Sequence, residues 1–180
     1  MLEYLTNTQF AYDQLREFLA AGGPVLMAIG VVTFIMWAMI IERIMYWTTS
    51  HAGVISRAKR AWAARADRSS WYAGAVRDKL ISEAKEQASQ FNGLIRALVA
   101  VTPLLGLLGT VTGMVFVFDV MAVTGSSNAR LMAAGITRAT IPTMAGLVAS
   151  LSGLVFINAF EQSVKRAIAT LGDELSFDDD

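Results

Sequence analysis

Three long stretches of the chain contain no charged side chain, and they dominate its hydrophobic pattern. They are residues 18–41, 97–118 and 139–160, which are 24, 22 and 22 residues long. Because a helix rises about 1.5 Å per residue, each stretch can cross a hydrocarbon core about 30 Å thick. The pattern therefore predicts three transmembrane helices. The apolar part of the first begins near Pro24, a residue that suits the first turn of a helix.

The distribution of basic residues predicts how these helices are oriented. Residues 42–96 contain ten of the 15 Lys and Arg residues, so the positive-inside rule places this segment and the C-terminus in the cytoplasm. The N-terminus and the second connection then lie outside. The predicted transmembrane helices are helix 1 at 24–41, helix 2 at 97–118 and helix 3 at 139–160. On the outer side we predict a periplasmic amphipathic segment at 1–23 and a periplasmic connection at 119–138. On the cytoplasmic side we predict a helical segment at 42–96 and a helix with an acidic tail at 161–180.

The long cytoplasmic segment is predicted to be helical. Residues 42–96 lack proline and are rich in Ala, Arg, Lys, Glu and Gln, which favour helices. We predict two helices, joined near Asp67 to Ser70.

Both ends of the chain carry helical patterns as well. Val164, Ile168 and Leu171 recur at helical spacing, so the third span is predicted to continue into the cytoplasm, where the acidic run Asp178 to Asp180 is solvated. The first 19 residues have apolar side chains at roughly helical spacing. They predict a short helix at the interface on the outer face of the membrane.

The composition agrees with a membrane protein and excludes several other classes. Hydrophobic residues make up 54% of the chain and charged residues 17%, against about 25% charged in a soluble domain. The zero net charge gives no reason to expect nucleic acid as a partner. With no Cys and one His, the chain lacks the residues for a disulfide framework, a thiol nucleophile or a common metal site. We expect His51 to be a solvated surface residue, and we expect no enzymatic activity.

Small and hydroxyl side chains form a stripe along one face of each of the last two predicted spans. The second span has Thr102, Gly106, Thr110 and Gly113, with Gly109 close by, and the third has Ala139, Thr143, Gly146, Ser150 and Gly153. Such stripes allow close helix packing, and Gly109 with Gly113 forms a Gly-x-x-x-Gly pair. Two interpretations remain open: the hydroxyls bond to their own helices while the glycines pack, or Thr110 and Thr143 line a path for an ion.

The charge-free spans also restrict any role in proton movement. A proton relay inside a membrane needs an acid or a base, and none of the three stretches contains one. A carboxylate would have to come from another subunit. Asp119 and Arg138 lie at the outer ends of spans, where interfacial anchoring is one interpretation. Pro142 is predicted to disrupt the third helix near its outer end, and Pro103 to act similarly in the second.

The motifs of the last two spans resemble a known family. The sequences TPLLGLLGTVTGM at 102–114 and GITRATIPTMAGL at 135–147, followed by Asn158, resemble the MotA/TolQ/ExbB family of ion-driven motor subunits. The similarity is greatest to ExbB of TonB systems. Glu42 and Arg43, at the inner end of the first span, extend it weakly.

The resemblance implies an all-α membrane protein with three spans and long cytoplasmic helical extensions, assembled as a homopentamer around a central pore. It implies an ExbD-like single-span partner whose membrane aspartate takes up and releases a proton. Thr110 and Thr143 would face that aspartate. The coupling ion would be H⁺, with no other cofactor. A TonB-like protein would carry the work from the Gram-negative inner membrane to outer-membrane receptors for iron siderophores or similar nutrients.

One residue departs from the family pattern. Many ExbB and TolQ sequences have glutamate where this chain has Arg138. We hypothesise that Arg138 is a pore-mouth charge that pairs with an acidic group of the partner or repels cations.

Alternative functions remain open at this stage. One is a TolQ-like motor subunit that maintains the envelope, and another is a passive channel or structural membrane scaffold. A MotA-like stator is disfavoured because that group has four spans, and a membrane enzyme is the poorest candidate.

Overall fold

The computed structural model describes residues 8–125 and 129–175, which form helices and short connections without a strand. The helices are α1 (Thr8–Thr49), α2 (His51–Ala63), α3 (Trp71–Ser89), α4 (Asn92–Thr124) and α5 (Ala129–Glu174). Three helical ranges are long and apolar enough to cross a membrane: Gly22–Thr49, Trp71–Val123 and Gly135–Glu174. The second range includes both α3 and α4, and its charge-free part lies within α4.

Helix α1 is interrupted by a kink at Gly23. The backbone there has φ 63° and ψ −162°, a conformation that glycine adopts without the steric penalty of a side chain. Pro24 follows immediately and resumes the helix, because its fixed φ suits a first helical position. The kink therefore divides α1 into an N-terminal arm, residues 8–22, and the part that contains the first predicted span.

The other two prolines lie inside helices that continue through them. Helix α4 includes Pro103, and α5 includes Pro142 and is unbroken from Ala129 to Glu174. The predicted disruptions of the third helix at Pro142 and of the second at Pro103 are therefore wrong. Neighbouring helices can satisfy the backbone groups that a proline leaves open, which allows a membrane helix to tolerate it.

The described residues form two compact units. Unit 1 consists of the described residues within Met1–Met36 and Ala97–Ser152, and unit 2 of those within Trp37–Arg96 and Gly153–Asp180. Unit 1 thus holds parts of α1, α4 and α5, whereas unit 2 holds α2, α3 and the remaining parts of those three helices.

Unit 2 has a small hydrophobic core built around Trp62. Ala58 and Trp62 of α2 pack with Ala73 of α3 and with Leu171 and Leu175 near the end of α5. Trp62 is 5% exposed and Leu171 is 1% exposed. The apolar residues at helical spacing after the third span therefore lie on one helical face, and Val164 and Leu171 of that face are buried. The break predicted near Asp67 to Ser70 lies between α2 and α3.

Arg77 caps the C-terminal end of α5 within unit 2. Its Nε donates to the carbonyl oxygen of Leu175 at 2.6 Å, and its Nη2 donates to that of Gly172 at 2.6 Å. The last carbonyls of a helix lack backbone donors and carry partial negative charge, so a guanidinium is well suited to them. Lys59 also forms an ion pair with Glu174. These contacts hold the end of α5 against α2 and α3.

A second structural arginine, which is buried, lies in α1. The Arg43 side chain is 4% exposed, and its Nε donates to the Glu42 carboxylate at 2.9 Å. Its Nη1 donates to the carbonyl oxygen of Gln87 at 3.3 Å, and its Cζ lies 5.4 Å from the centroid of the Phe91 ring. Phe91 has φ 65° and occupies the junction of α3 and α4. Arg43 thus fixes α1 against this junction.

His51 is not the solvated residue that the sequence suggested. Its ring stacks on Trp47 with centroids 3.8 Å apart, and Trp47 also packs edge-to-face on Phe160. Burial lowers the pKa of His51 below its usual value. The sequence places His51 four residues after Trp47, a spacing that brings side chains together on a helical face, and the aromatic contact then draws it out of solvent.

The turn between α2 and α3 is held by Asp67 and Ser70. The Asp67 carboxylate accepts the Ser70 hydroxyl and the backbone N–H groups of Ser69 and Ser70. Ser70 is also the N-cap of α3, where its Oγ accepts from the backbone N–H of Ala73 at 3.2 Å. The hydrogen bonds from Ser70 are the main reason that the pKa of Asp67 lies below its usual value.

We predict that Ser70→Ala raises the pKa of Asp67 and weakens the start of α3. Loss of an N-cap costs about 1 kcal/mol, which corresponds to roughly fivefold faster amide exchange in the first turn of α3. Because the folded pKa of Asp67 is lowered, its stabilising contribution is present above the unfolded pKa and is lost as pH falls through the folded value. NMR titration of the carboxyl and hydrogen exchange measure both effects. Ser69→Ala is the control, since it keeps the backbone N–H; an equal effect of both variants would contradict the prediction.

Candidate functional site at the contact between α4 and α5

Glycines bring α4 and α5 close together in unit 1. A Cβ placed on Gly106 would lie 3.0 Å from the Cα of Thr143, and one on Gly146 would lie 2.8 Å from the carbonyl oxygen of Thr102. Contacts this short to backbone atoms leave no room for a side chain. Gly106 and Gly146 are also neighbours, since that Cβ on Gly146 would lie 3.3 Å from the Cα of Gly106.

The same contact continues toward the C-terminal end of α4. Gly109 lies against the ring of Pro142, and a Cβ on Gly113 would lie 2.6 Å from the Cβ of Ala139. Higher numbers on α4 therefore face lower numbers on α5, so the two helices are antiparallel. The structure places the predicted packing residues Gly106, Gly109, Gly113 and Gly146 at this contact. Gly153 is buried in unit 2.

The two threonines predicted to line an ion path have different hydrogen bonds. The Thr143 hydroxyl donates across the contact to the carbonyl oxygen of Gly106 at 2.7 Å. The Thr110 hydroxyl donates to the carbonyl oxygen of Leu107 at 2.7 Å, within its own helix. Each hydroxyl oxygen keeps lone pairs that can accept a hydrogen bond from water or another donor. Their role in ion movement stays a prediction.

A hydrogen bond that sequence reasoning missed lies next to Pro103. In a regular helix the carbonyl of Val99 accepts from the N–H of residue 103, and proline has none. The buried Ser150 hydroxyl of α5 donates to this carbonyl oxygen at 2.9 Å. A proline in a helical sequence indicates that the carbonyl four residues earlier lacks its donor. The sequence does not reveal which hydroxyl donates to that carbonyl instead.

Arg138 contacts a second carbonyl of unit 1 that lacks its helical donor because a proline lies four residues later. Its Nη2 donates to the carbonyl oxygen of Ala20 in the N-terminal arm at 2.6 Å. Arg138 also lines a mostly apolar cavity of about 640 Å³, together with Gly22, Pro24, Phe116 and Met132. Arg138, for which the sequence suggested a charge at a pore mouth, therefore has a specific backbone acceptor within the chain.

We predict that Ser150→Ala destabilises the α4–α5 contact by about 1 kcal/mol, because the carbonyl of Val99 loses its donor inside the membrane. In a Pro103→Ala background the same substitution should cost less, since residue 103 then supplies an N–H. Unfolding of the purified chain in mixed micelles by SDS titration measures these free energies.

Ser152→Ala is the matched control, because the Ser152 hydroxyl bonds to Ala149 of its own helix. An equal cost of Ser150→Ala in both backgrounds would show that Pro103 is not the cause.

Comparison with known proteins shows that the sequence of this chain is similar to those of ExbB proteins. An ExbB-like biopolymer transport protein of Synechocystis is 36% identical over 87 residues, which are 47% of this chain and 41% of that protein. The biopolymer transport protein ExbB of Salmonella typhimurium is 38% identical over 82 residues, or 46% and 34% of the two chains. ExbB of Pseudomonas putida is 30% identical over 96 residues, or 53% and 29%.

The matched parts cover less than half the length of these curated relatives. A family model extends the similarity to residues 40–172, which include all of α2, α3 and α4 and most of α5. The chain belongs to the MotA/TolQ/ExbB proton channel family.

Proposed function

We propose that this protein is the ExbB-like membrane subunit of a motor driven by the proton-motive force. The observation that carries the proposal is the α4–α5 contact, where Thr143 and Gly106 of the family region are joined by a hydrogen bond. Close packing through glycines makes this pair a rigid wall, and the hydroxyls of Thr110 and Thr143 give it a weakly polar character. Such a wall suits the passage of an ion better than a purely apolar one.

The proposed motor requires a second kind of subunit. The charge-free stretches of α4 and α5 contain no side chain that exchanges a proton near neutral pH. Proton transfer inside a membrane needs such a group, so we assign it to the membrane carboxylate of an ExbD-like single-span partner. The chain itself acts without an enzymatic centre and without a cofactor other than the coupling ion H⁺.

Exposed apolar surface on the spans supports assembly. On α4, Leu104, Leu107 and Val111 are each more than half exposed. On α5, the Val148 side chain is 69% exposed. Lipid and further subunits are the environments that would cover these faces, and we propose a homopentamer around a central pore.

The proposed location is a bacterial inner membrane, with the N-terminus in the periplasm and the C-terminus in the cytoplasm. The ten basic residues of 42–96 support this orientation. The partner that carries the work is a TonB-like protein, and the cargo is an iron siderophore or a similar nutrient. The names of the ExbB relatives support this branch over a TolQ-like one.

Native mass spectrometry of the complex, extracted gently from the membrane, tests the proposal. We expect five copies of the 19.5 kDa chain with a small single-span protein that has an aspartate in its span. The sequence of the bound partner distinguishes an ExbD-like subunit from a TolQ-type partner. A monomer or dimer with no such companion would contradict the motor and favour a scaffold.

We also predict that Thr110→Val and Thr143→Val each lower proton uptake by proteoliposomes that contain the chain and its partner. Loss of one polar group that stabilises a moving proton by about 1.4 kcal/mol slows its passage roughly tenfold. Thr143→Ser keeps the hydroxyl and should retain uptake. Thr112→Val is a second control, since it removes the same hydroxyl from α4 at a position outside the predicted ion path. The Thr112 hydroxyl, like that of Thr110, bonds within its own helix. Wild-type uptake by Thr143→Val would exclude that hydroxyl from the path.

A further inference from the structure

The kink in α1 leaves one carbonyl group without its usual donor. In a continuous helix the carbonyl oxygen of Ala20 accepts from the N–H of residue 24, and that residue is Pro24. Gly23, with φ 63°, also takes the chain out of the helical conformation just before the proline. The last turn of the N-terminal arm therefore ends with a carbonyl that needs a partner from elsewhere.

Arg138 supplies that partner from α5. Its Nη2 donates to the carbonyl oxygen of Ala20 at 2.6 Å, and hydrogen bonds from an ionised donor are stronger than those between neutral groups. Guanidinium is favoured at this position for a second reason, since the C-terminal end of a helix carries partial negative charge. Arg138, Gly22 and Phe116 also line the mostly apolar cavity around the kink.

The same relation occurs independently at the second proline. Pro103 deprives the carbonyl of Val99 of its donor, and Ser150 provides one from α5. Two different residues of α5, twelve positions apart, thus replace the N–H groups that two prolines lack. This recurrence indicates that α5 serves as the source of substitute donors for the proline-containing helices packed against it.

We propose that Arg138 is a positioning residue that caps the N-terminal arm at the Pro24 kink and so fixes this arm to α5. This role differs from that of a charge at a pore mouth, and it stands whether or not the chain conducts protons. The arm presents exposed apolar side chains at Tyr12 and Leu15, so its position determines which surface it offers to its surroundings. Without the cap the last turn of the arm opens more readily.

Hydrogen exchange of the full-length protein in lipid nanodiscs tests this role. Arg138→Met should accelerate amide exchange in residues 17–22 by about tenfold, the effect expected for loss of a hydrogen bond from a charged donor. Arg138→Lys keeps a charged donor and should restore part of the protection. Arg130→Met is the matched control, because it removes the same charge from the same end of α5 and should leave residues 17–22 unchanged.

A second background separates the cap from a simple charge effect. Gly23→Ala combined with Pro24→Ala favours a continuous helix in which residue 24 donates to Ala20. There Arg138→Met should change exchange by less than about twofold, because the two donors replace one another. The role of a pore-mouth charge would not depend on the presence of Pro24.

The results are decisive in both directions. A large effect of Arg138→Met that disappears in the background without the proline supports the cap. An unchanged exchange rate in Arg138→Met, an equal increase in both backgrounds, or the same increase in Arg130→Met would overturn it. If Arg138→Met alone does not insert, its recovery in the background without the proline supports the proposal, and failure there contradicts it.

Discussion

Within hydrocarbon, a backbone carbonyl that loses its helical partner must find another donor inside the protein, and this requirement shapes unit 1. The three prolines of the chain all lie in apolar helices, and each removes one N–H from a helical ladder. At Val99, inside the second span, the replacement comes from Ser150 of α5. At Ala20, just before the first span, it comes from Arg138 of the same helix. Helix α5 is therefore both a packing surface and a supply of hydrogen bonds.

These substitute bonds depend on how closely the helices approach. A serine hydroxyl is short, so Ser150 reaches the backbone of α4 because the glycines of the stripe keep the two helices together. The hydrogen bond from Thr143 to Gly106 depends on the same proximity. Close packing of the helices and hydrogen bonding to their backbone carbonyls therefore support one another in this contact. A rigid pair of this kind is the part of the chain to which the proposed ion path is assigned.

Unit 2 uses arginines in a related way outside the apolar stretches. Arg77 binds the last carbonyls of α5, while Arg43 binds the carbonyl of Gln87 and packs on Phe91 at a helix junction. In each case a long cationic side chain satisfies backbone oxygens where a helix ends or turns. The basic composition of residues 42–96 therefore contributes to local structure as well as to orientation.

Hydrophobic length and spacing are local properties of a chain, so the residue pattern alone established the helical class, the three apolar stretches, the start of the first span near Pro24 and the small-residue stripes. It also indicated the family through the motifs of α4 and α5. Helix packing selects which donor reaches which carbonyl, because Arg138 and Ala20 are far apart in sequence and come together only in the folded chain. The continuity of α5 through Pro142 likewise depends on the helices packed around it. His51 and Trp47 are close in sequence, but the packing of Trp47 on Phe160 also joins residues that are far apart.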